Sequence, residues 1–342
     1  MLRVLAAFLV ALAVTLLVTP QTKKLAIKLG VYDEPDARKV HKGMMTRLGG
    51  LGIYAGFLAG FLVYGDFSRP MLGLLVGSSF VTAVGFYDDI RNISPKLKLL
   101  GQIVAAVILM VFGVHLEYLT IPFTESIIDI GILGYPLSVL WVVGICNAVN
   151  LIDGLDGLAS GVSAIAALSM GIVAYVSSLS MVAALCLVLV GSILGFLKWN
   201  FHPAKLFMGD CGSLLLGFVL AVFSLLGLSE GATLIALFVP IIILGIPVLD
   251  TLFAIIRRRR QHKPVFQADK GHFHHQLLDL GLSHKDTVLF IYAITLLFGT
   301  VAVLITLLPS FYSIIVSVLA LILIFAGSLK LGIFGERRNT EE

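Results

Sequence analysis

Long apolar runs, separated by short polar stretches, make up almost the whole chain. Nine runs with few or no charged residues lie at 1–19, 49–65, 71–87, 99–114, 131–149, 211–229, 231–249, 287–308 and 310–329. A helix needs about 20 apolar residues to cross the hydrocarbon core of a bilayer, and about 17 is the lower limit. Each run therefore predicts one transmembrane helix.

A further apolar stretch, 157–197, is too long for a single crossing. Its 41 residues contain no charge. At about 1.5 Å per residue, a helix of this length would span roughly 60 Å, about twice the thickness of the hydrocarbon core. The stretch must fold back, and the sequence Ser-Ser-Leu-Ser at 177–180 is the natural turn. The prediction is then about eleven spans.

The composition agrees with a membrane protein. Hydrophobic residues account for 58% of the 342 residues and charged residues for 13%, about half of the roughly 25% found in soluble domains. With a mean hydropathy of +1.03, the chain is not an ordinary soluble enzyme, a disordered chain or a nucleic-acid-binding module. We predict an all-α, polytopic integral membrane protein with a single membrane-embedded domain, residues 1–342, and no nucleic-acid partner.

The distribution of Lys and Arg predicts the orientation. If the spans alternate, 22 of the 24 Lys and Arg residues fall on one side, in the segments 20–48, 88–98, 198–210, 255–286 and the tail from Lys330. Only Arg3 and Arg69 fall on the other side. Because cytoplasmic loops carry the excess of positive charge, we expect the N-terminus outside, the C-terminus inside and every long loop in the cytoplasm.

Acidic, amide and histidine side chains collect at the predicted cytoplasmic ends of the helices. They are Asp88 and Asp89 after the third span, Asn147, Asn150, Asp153 and Asp156 between the fifth and sixth, Asp210 at the start of the eighth, and the arginines at 257–260 with His272, His274 and His275 in the loop 255–286. This placement on one face makes them candidates for a common site.

Each group also has an ordinary structural explanation. Asn and Asp in a glycine-containing turn supply turn and cap hydrogen bonds, and the arginines at 257–260 can anchor a helix on anionic headgroups. Asp250 fits a position near the interface or beside a cation. We assign no functional role to His202, His262 and His284.

The combination of these groups on one face indicates metal and phosphate chemistry. Carboxylates with amide oxygens suit Mg²⁺, which usually shares its shell with substrate phosphates, and Lys and Arg bind phosphate oxygens. Glycines beside Asp153, Asp156 and Asp210 let the backbone approach a ligand closely. At a membrane surface, this chemistry predicts a reaction between a soluble phosphorylated donor and a lipid acceptor.

Four blocks of sequence resemble the polyprenyl-phosphate N-acetylhexosamine-1-phosphate transferases. They are GFYDDIRNISPKLKLLGQ (85–102), NAVNLIDGLDGLASG (147–161), KLFMGDCGSLLLG (205–217) and HFHHQLLDLGLSH (272–284), in the family's order. The similarity extends over most of the chain. Within the superfamily, the chain looks like the bacterial undecaprenyl-phosphate N-acetylglucosamine-1-phosphate transferases.

The resemblance implies an Mg²⁺-dependent enzyme, with Mn²⁺ as a substitute, in the bacterial inner membrane with its site facing the cytoplasm. It implies transfer of N-acetylglucosamine-1-phosphate from UDP-GlcNAc to undecaprenyl phosphate, which releases UMP and starts a cell-envelope polysaccharide. Membrane lipid is a further partner, and a homodimer is compatible with this picture. The expected mechanism is direct attack by the lipid phosphate, and a covalent aspartyl-phosphate route ranks second.

The family's roles carry over onto matching residues of this chain. The implied metal ligands are Asp210 and Asn150, and the implied catalytic residues are Asp88, Asp89 and Lys98. The implied substrate-binding residues are Asn147, Asp153, Gly154, Asp156, Phe207, Arg260, His272, His274 and His275. We expect the site to be formed by the cytoplasmic loops 20–48, 88–98, 150–156, 198–210 and 255–286.

The resemblance also implies which residues contact the uracil ring of the donor and which belong to the donor-binding loop. Gly154 and Asp156 match positions that read uracil, and Phe207 matches an aromatic residue that stacks on the ring. Asp153 lines the same pocket. The histidines within 272–275 match the donor-binding loop.

Three other functions compete with this one. The phospho-MurNAc-pentapeptide translocase belongs to the same superfamily, but the corresponding loop of that enzyme is expected to carry three contiguous histidines. In this chain, Phe273 interrupts the histidines. An ion-coupled transporter needs ionisable groups or broken helices near the midplane, where the predicted spans carry no charge. A non-enzymatic scaffold or lipid-binding protein would have no use for so many carboxylates facing a basic loop.

Overall fold

Helices make up nearly all of the regular structure. The computed structural model describes residues 1–33, 45–120, 127–228, 234–262 and 271–330. Within these ranges the helices are α1 (Leu2–Leu29), α2 (Gly50–Tyr64), α3 (Arg69–Arg91), α4 (Pro95–Val111), α5 (Gly134–Leu151), α6 (Leu158–Val176), α7 (Ser180–Asn200), α8 (Asp210–Leu228), α9 (Leu234–Ile243), α10 (Gly245–Arg260), α11 (Phe273–Asp279), α12 (His284–Leu307) and α13 (Ser310–Lys330).

Two short antiparallel hairpins and one 3₁₀ turn complete the regular structure of the described ranges. β1 (Tyr32–Asp33) pairs with β2 (Met45–Thr46) between α1 and α2. β3 (Tyr118–Thr120) pairs with β4 (Ile127–Asp129) between α4 and α5. The 3₁₀ turn at Gly131–Leu133 leads into α5. Both hairpins are connections between helices, and the fold class is all-α.

Seven of the described helices are long and apolar enough to cross a bilayer: α1, α3, α5 with its preceding 3₁₀ turn, α6, α7, α8 and α12. α2 and the Phe311–Ala320 part of α13 are apolar but shorter. The prediction of an all-α polytopic membrane protein is therefore confirmed. The expected fold-back also occurs, since α6 ends at Val176 and α7 begins at Ser180.

The run 231–249, which the sequence predicts to be one span, is divided in the structure. α9 ends at Ile243 and α10 begins at Gly245. Pro247 has no N–H to donate to the carbonyl of Ile243, so the helical hydrogen-bond ladder is interrupted here. α10 then continues to Arg260, so the four arginines expected in a loop extend a helix instead.

Small residues bring α1 and α2 into close contact. Gly56 and Gly60 of α2 are four residues apart and face α1. A methyl group on Gly56 would lie 2.6 Å from the carbonyl oxygen of Ala11, and one on Gly60 would lie 2.8 Å from that of Ala7. The buried residues of α1 are Ala7, Ala11, Thr15, Thr19, Thr22 and Ala26. Such stripes of small residues let membrane helices approach closely and gain van der Waals contact.

Replacing Gly56 by alanine is expected to destabilise the protein by about 1–3 kcal/mol, because the added methyl group overpacks the contact between α1 and α2. The matched control is Gly144→Ala in α5, where an added methyl group meets nothing within 4 Å. Alanine favours a helix over glycine by about 1 kcal/mol, so the control should be neutral or slightly stabilising. Thermal unfolding in detergent measures both variants. A melting temperature of Gly56→Ala at or above the control's would contradict the packing argument.

α8 is buried along most of its length and touches the helices that carry the candidate residues. A methyl group on Gly85 of α3 would lie 2.5 Å from the carbonyl oxygen of Asp210. One on Gly217 of α8 would lie 2.6 Å from Cα of Cys146 in α5. These close approaches bring the C-terminal ends of α3 and α5 to the first turns of α8.

Candidate active site

Asp210 is the first residue of α8 and follows a turn that requires glycine. Gly209 has a φ of +73°, a left-handed conformation that other residues rarely adopt. A Cβ atom there would lie 2.6 Å from the carbonyl oxygen of Arg47 and 2.6 Å from Oδ2 of Asp89. The Gly-Asp pair thus places a carboxylate at a helix N-terminus, where the helix dipole favours negative charge.

Lys98, in the first turn of α4, joins two of the predicted carboxylates. Its Nζ lies 3.2 Å from Oδ2 of Asp88 and also contacts Oδ2 of Asp210. Oδ1 of Asp88 accepts a hydrogen bond of 2.8 Å from the backbone N–H of Ile93, which holds the turn between α3 and α4. The side chain of Asp210 is 28% exposed, the largest value of the three. An ammonium group therefore lies between the buried carboxylate of Asp88 and the more accessible carboxylate of Asp210.

Asn150 contacts the same aspartate from the end of α5. Its Nδ2 donates to Oδ1 of Asp210 over 2.9 Å and to Oγ of Ser213 over 2.8 Å. Rotating the amide group of Asn150 by half a turn would place its Oδ1 where Nδ2 now lies. Two carboxylates and one amide oxygen are hard donors of the kind that Mg²⁺ prefers. The residues present at this position therefore fit a magnesium ion.

The structure gives Asp89 a different environment from that of Asp88. Asp89 is buried, and its Oδ1 and Oδ2 accept hydrogen bonds from the backbone N–H groups of Asp210 (2.9 Å) and Cys211 (3.0 Å). These N–H groups begin α8 and have no acceptor within their own helix. Asp89 therefore caps α8 from α3, while Asp88 contacts Lys98. The two adjacent aspartates thus contact different partners.

Asn147 lies in α5, one helical turn before Asn150, and its side chain contacts α4. Its Nδ2 donates to Oε1 of Gln102 over 2.6 Å and to the carbonyl oxygen of Val143 over 2.8 Å. Gln102 is buried. The amide of Asn147 thus joins two helices, and the structure does not place it among the contacts of Asp210.

Asp156, in the turn between α5 and α6, is surrounded by two histidines to which the sequence analysis assigns no role. Its Oδ2 accepts a hydrogen bond from the N–H of Ala204 and lies 3.0 Å from Nδ1 of His202. The backbone N–H of Asp156 donates to Nε2 of His284 over 2.9 Å. The two imidazole rings stack with centroids 4.4 Å apart. His202 and His284 are 46 and 128 residues away in sequence, so no spacing pattern connects them to Asp156.

These three residues are also the group of described side chains whose geometry could hold a metal ion. One atom of each, from Asp156, His202 and His284, lies within 4.8 Å of the others. The ring nitrogens nearest Asp156 are, however, already used in hydrogen bonds within the group. These hydrogen bonds connect the turn after α5 to the segment after α7 and to the start of α12.

The histidine loop lies beside the same turn. His272 precedes α11, and its Nδ1 lies 2.9 Å from Oδ2 of Asp250 in α10. Asp250 is buried beside this histidine. Burial lowers the pKa of His274 to about 3, so this ring is neutral at physiological pH. A methyl group on Gly154 would lie 2.5 Å from Nε2 of His274, and the ring of His275 is 4.3 Å from that of His274.

The remaining candidates lie around this centre with different exposures. Phe207 is half-buried, and its backbone is hydrogen-bonded to Thr46 and Gly49 before α2. Asp153 is also half-buried. Arg260 is exposed at the end of α10.

Arg257 is the arginine whose guanidinium lies against Gly271, next to the histidine loop. The residue predicted from the resemblance is Arg260 instead, and four consecutive arginines do not show which one faces the loop. The part of the predicted basic loop at 263–270 lies outside the described residues.

Comparison with known proteins identifies the family. Residues 71–228 match the model described as glycosyl transferase family 4. A probable undecaprenyl-phosphate N-acetylglucosaminyl 1-phosphate transferase of Bacillus subtilis strain 168 is 41% identical over 89% of this chain and 85% of its own length. The chain belongs to glycosyl transferase family 4.

Two further relatives of this family 4 protein come from other bacteria. A decaprenyl-phosphate N-acetylglucosaminephosphotransferase of Mycobacterium tuberculosis H37Rv is 35% identical over 83% of the chain and 78% of the relative. An undecaprenyl-phosphate alpha-N-acetylglucosaminyl 1-phosphate transferase of Salmonella typhi is 30% identical over 79% of the chain and 75% of the relative. The family resemblance predicted from the four sequence blocks is confirmed.

The segment that matches the family 4 model does not contain the whole candidate site. It covers α3 to α8 and so includes Asp88, Lys98 and Asp210. The histidine loop lies beyond its end and contacts it through His274 and Gly154. In this family 4 protein, the candidate site therefore combines residues of the matched helices with residues of a later loop.

Proposed function

We propose that the chain transfers N-acetylglucosamine-1-phosphate from UDP-GlcNAc to undecaprenyl phosphate, forming undecaprenyl-diphospho-N-acetylglucosamine and UMP. The reaction would be the first membrane step of a cell-envelope polysaccharide. The observation that carries the proposal is the Lys98 ammonium between the Asp88 and Asp210 carboxylates, beside Asn150, at the ends of membrane helices. The names of the relatives support the same reaction.

The proposed topology has eleven spans, with the N-terminus outside and the C-terminus inside. The candidate residues support one common face, because they lie at the C-terminal ends of α3 and α5 and at the N-terminal ends of α4 and α8. Helices that cross a membrane alternately place these ends on the same side. This side carries 22 of the 24 Lys and Arg residues, so the proposed site faces the cytoplasm at the inner membrane.

The residues that would hold Mg²⁺ are Asp210 and Asn150, with Asp88 beside them. When bound, the ion neutralises phosphate oxygens and stabilises the charge of the leaving UMP, and Mn²⁺ would substitute for it. The donor set supports this assignment, because Asp88 and Asp210 supply hard carboxylate oxygens and Asn150 supplies an amide oxygen once its amide is rotated.

The side chains of the protein bring two anionic substrates together. The second pKa of a phosphate monoester is near 6, so the lipid phosphate is already anionic near neutral pH and needs little help from a base. Lys98 holds and neutralises phosphate oxygens, while Asp88 orients the acceptor or takes its remaining proton. The acceptor oxygen attacks the β-phosphorus of the donor, and the bond from that phosphorus to UMP breaks. A covalent aspartyl-phosphate route ranks second, because attack by a carboxylate adds another like-charge contact.

The donor is proposed to lie between the turn after α5 and the histidine loop. Uracil offers a polar edge and a flat face, which Asp156 and Phe207 would meet by hydrogen bonding and stacking. Phe273, which interrupts the histidines, is buried and lines a small cavity whose other lining residues are isoleucines, Leu158, Asp250 and His274. The interrupted histidine pattern supports a loop unlike that of the pentapeptide translocase, and therefore a plain N-acetylhexosamine donor.

A donor panel with purified protein, undecaprenyl phosphate and Mg²⁺ tests the function. We expect UMP release with UDP-GlcNAc, none with UDP-MurNAc-pentapeptide, and inhibition by tunicamycin-like uridine analogues. UDP-GalNAc in the same panel reports whether the site distinguishes the epimer. Turnover of the pentapeptide donor alone would replace the proposal by the translocase reaction. Equal turnover of both would leave only the family assignment.

A further inference from the structure

A buried aspartate of α10 holds the start of the histidine loop. Asp250 is 4% exposed and His272 is 6% exposed. Nδ1 of His272 lies 2.9 Å from Oδ2 of Asp250, and the backbone N–H of Phe273 donates to Oδ1 of Asp250 over 2.9 Å. The two carboxylate oxygens of Asp250 thus contact two consecutive residues, His272 and Phe273, which are more than 20 positions away in sequence.

This pairing decides which ring nitrogen of His272 can meet a ligand. A carboxylate accepts hydrogen bonds, so Nδ1 of His272 carries the proton that it donates to Asp250. The opposite nitrogen, Nε2, is then the ring atom with which His272 can contact another polar group. When both ring nitrogens of a histidine carry protons, Nε2 is a second hydrogen-bond donor. That form donates a charge-assisted hydrogen bond to a phosphate oxygen.

Asp250 also determines where α11 begins. His272 is the N-cap residue and Phe273 is the first residue of the helix. The N–H of Phe273 is one of the donors that a helix start leaves without an acceptor of its own, and Asp250 supplies that acceptor. The ring of His272 is parallel to that of His274, with centroids 5.9 Å apart. A displaced His272 would therefore disturb the arrangement of the whole loop.

We propose that Asp250 is a positioning residue for donor binding, which orients His272 so that its Nε2 donates to a phosphate oxygen of UDP-GlcNAc. The inference rests on the proposed function and adds a residue outside the four sequence blocks. The same arrangement occurs at α8, where buried Asp89 accepts from the N–H of Asp210. In both places, a buried carboxylate of a neighbouring helix fixes a helix start that carries a side chain of the site.

The variant that tests the inference is Asp250→Asn. Asparagine has one terminal acceptor instead of two, so it cannot serve both the N–H of Phe273 and Nδ1–H of His272. The ring of His272 is then no longer fixed through Nδ1, and we expect the donor KM to rise about tenfold because the hydrogen bond from Nε2 is weakened. The KM for undecaprenyl phosphate should not change. Asp286→Asn, at an exposed position in the first turn of α12, is the matched control and should change neither KM.

A double-mutant cycle separates positioning from general structural support. His272→Asn keeps an N–H group for Asp250 but removes Nε2, so the loop is held while the ligand contact is lost. Because Asp250 acts through the ring, adding Asp250→Asn to His272→Asn should raise the donor KM no further. A further rise in the double variant, or an unchanged donor KM in Asp250→Asn alone, would overturn the inference.

The wild-type protein distinguishes failure of the inference from failure of the proposed function. A wild type that does not use UDP-GlcNAc overturns the function and the inference with it, whereas an active wild type with unaffected variants overturns the inference alone. If Asp250→Asn does not fold, ¹⁵N spectra of the histidine-labelled wild type decide the question, with His272→Asn for assignment. A protonated Nδ1 in His272 supports the inference, and an unprotonated Nδ1 overturns it.

Discussion

Asp210→Asn is expected to lower kcat by on the order of 10²–10⁴-fold, as other losses of transition-state electrostatics do. The substitution keeps the size of the side chain but removes the charge that faces Lys98 and would hold Mg²⁺. The start of α8 should survive, because Asp89 accepts from the backbone of Asp210 and not from its side chain. Initial rates of UMP release at saturating Mg²⁺ measure the effect, with the melting temperature recorded alongside.

The control for this variant is an aspartate far from the proposed site. Asp129 is exposed in β4, which precedes α5 and so lies at the other end of the helices from Asn150. Asp250→Asn is unsuitable as a control, because Asp250 contacts His272. If Asp210→Asn and Asp129→Asn had equal rates at saturating Mg²⁺, the Asp210 carboxylate would have no role in holding the metal.

The sequence predicts that Asp88, Asn150 and Asp210 belong together, because each stands at the end of an apolar run. Alternating crossings put these ends on one side of the membrane, and the fold reduces the remaining separation by close helix packing at Gly85 and Gly217. Both steps use information that is local in the chain, namely run lengths and small residues. The grouping of Asp88, Asn150 and Asp210 could therefore be predicted without knowledge of the fold.

The different environments of Asp88 and Asp89 were harder to predict. Consecutive residues on a helix point about 100° apart, so two adjacent aspartates at a helix end do not face the same partner. The sequence does not show which of them turns toward the neighbouring helix. The structure assigns that position to Asp89, because it is the one aimed at the first N–H groups of α8.

The histidine and aspartate contacts of the loops could not be predicted for another reason. The pairs Asp156–His284 and Asp250–His272 join residues that are 128 and 22 positions apart. Such contacts depend on which helices become neighbours and how they are rotated, and no periodicity in a single sequence encodes either. An isolated histidine or aspartate in a mostly apolar chain therefore looks like an ordinary interfacial residue.

Lys98→Met is expected to have two effects of opposite sign. Turnover should fall by about 10²–10³-fold, because the variant lacks the cation that offsets the repulsion between two phosphates. Mg²⁺ binding should become tighter, because the Lys98 ammonium contacts the Asp88 and Asp210 carboxylates that the ion would use. A positive charge at that position disfavours a second cation. UMP release measures the first effect, and a Mn²⁺ titration followed by electron paramagnetic resonance measures the second.

Lys96→Met is the matched control, since Lys96 is exposed in the same first turn of α4, and it should alter neither quantity. Lower turnover together with tighter metal binding distinguishes the prediction from a general loss of structure at the site. A variant whose site had lost its structure would lose turnover and metal affinity together. Weaker metal binding in Lys98→Met would show that the lysine supports the carboxylates instead of competing with the ion for them. Unchanged turnover would remove Lys98 from the reaction, and with it the argument that an ammonium between two carboxylates identifies the phosphate-binding position.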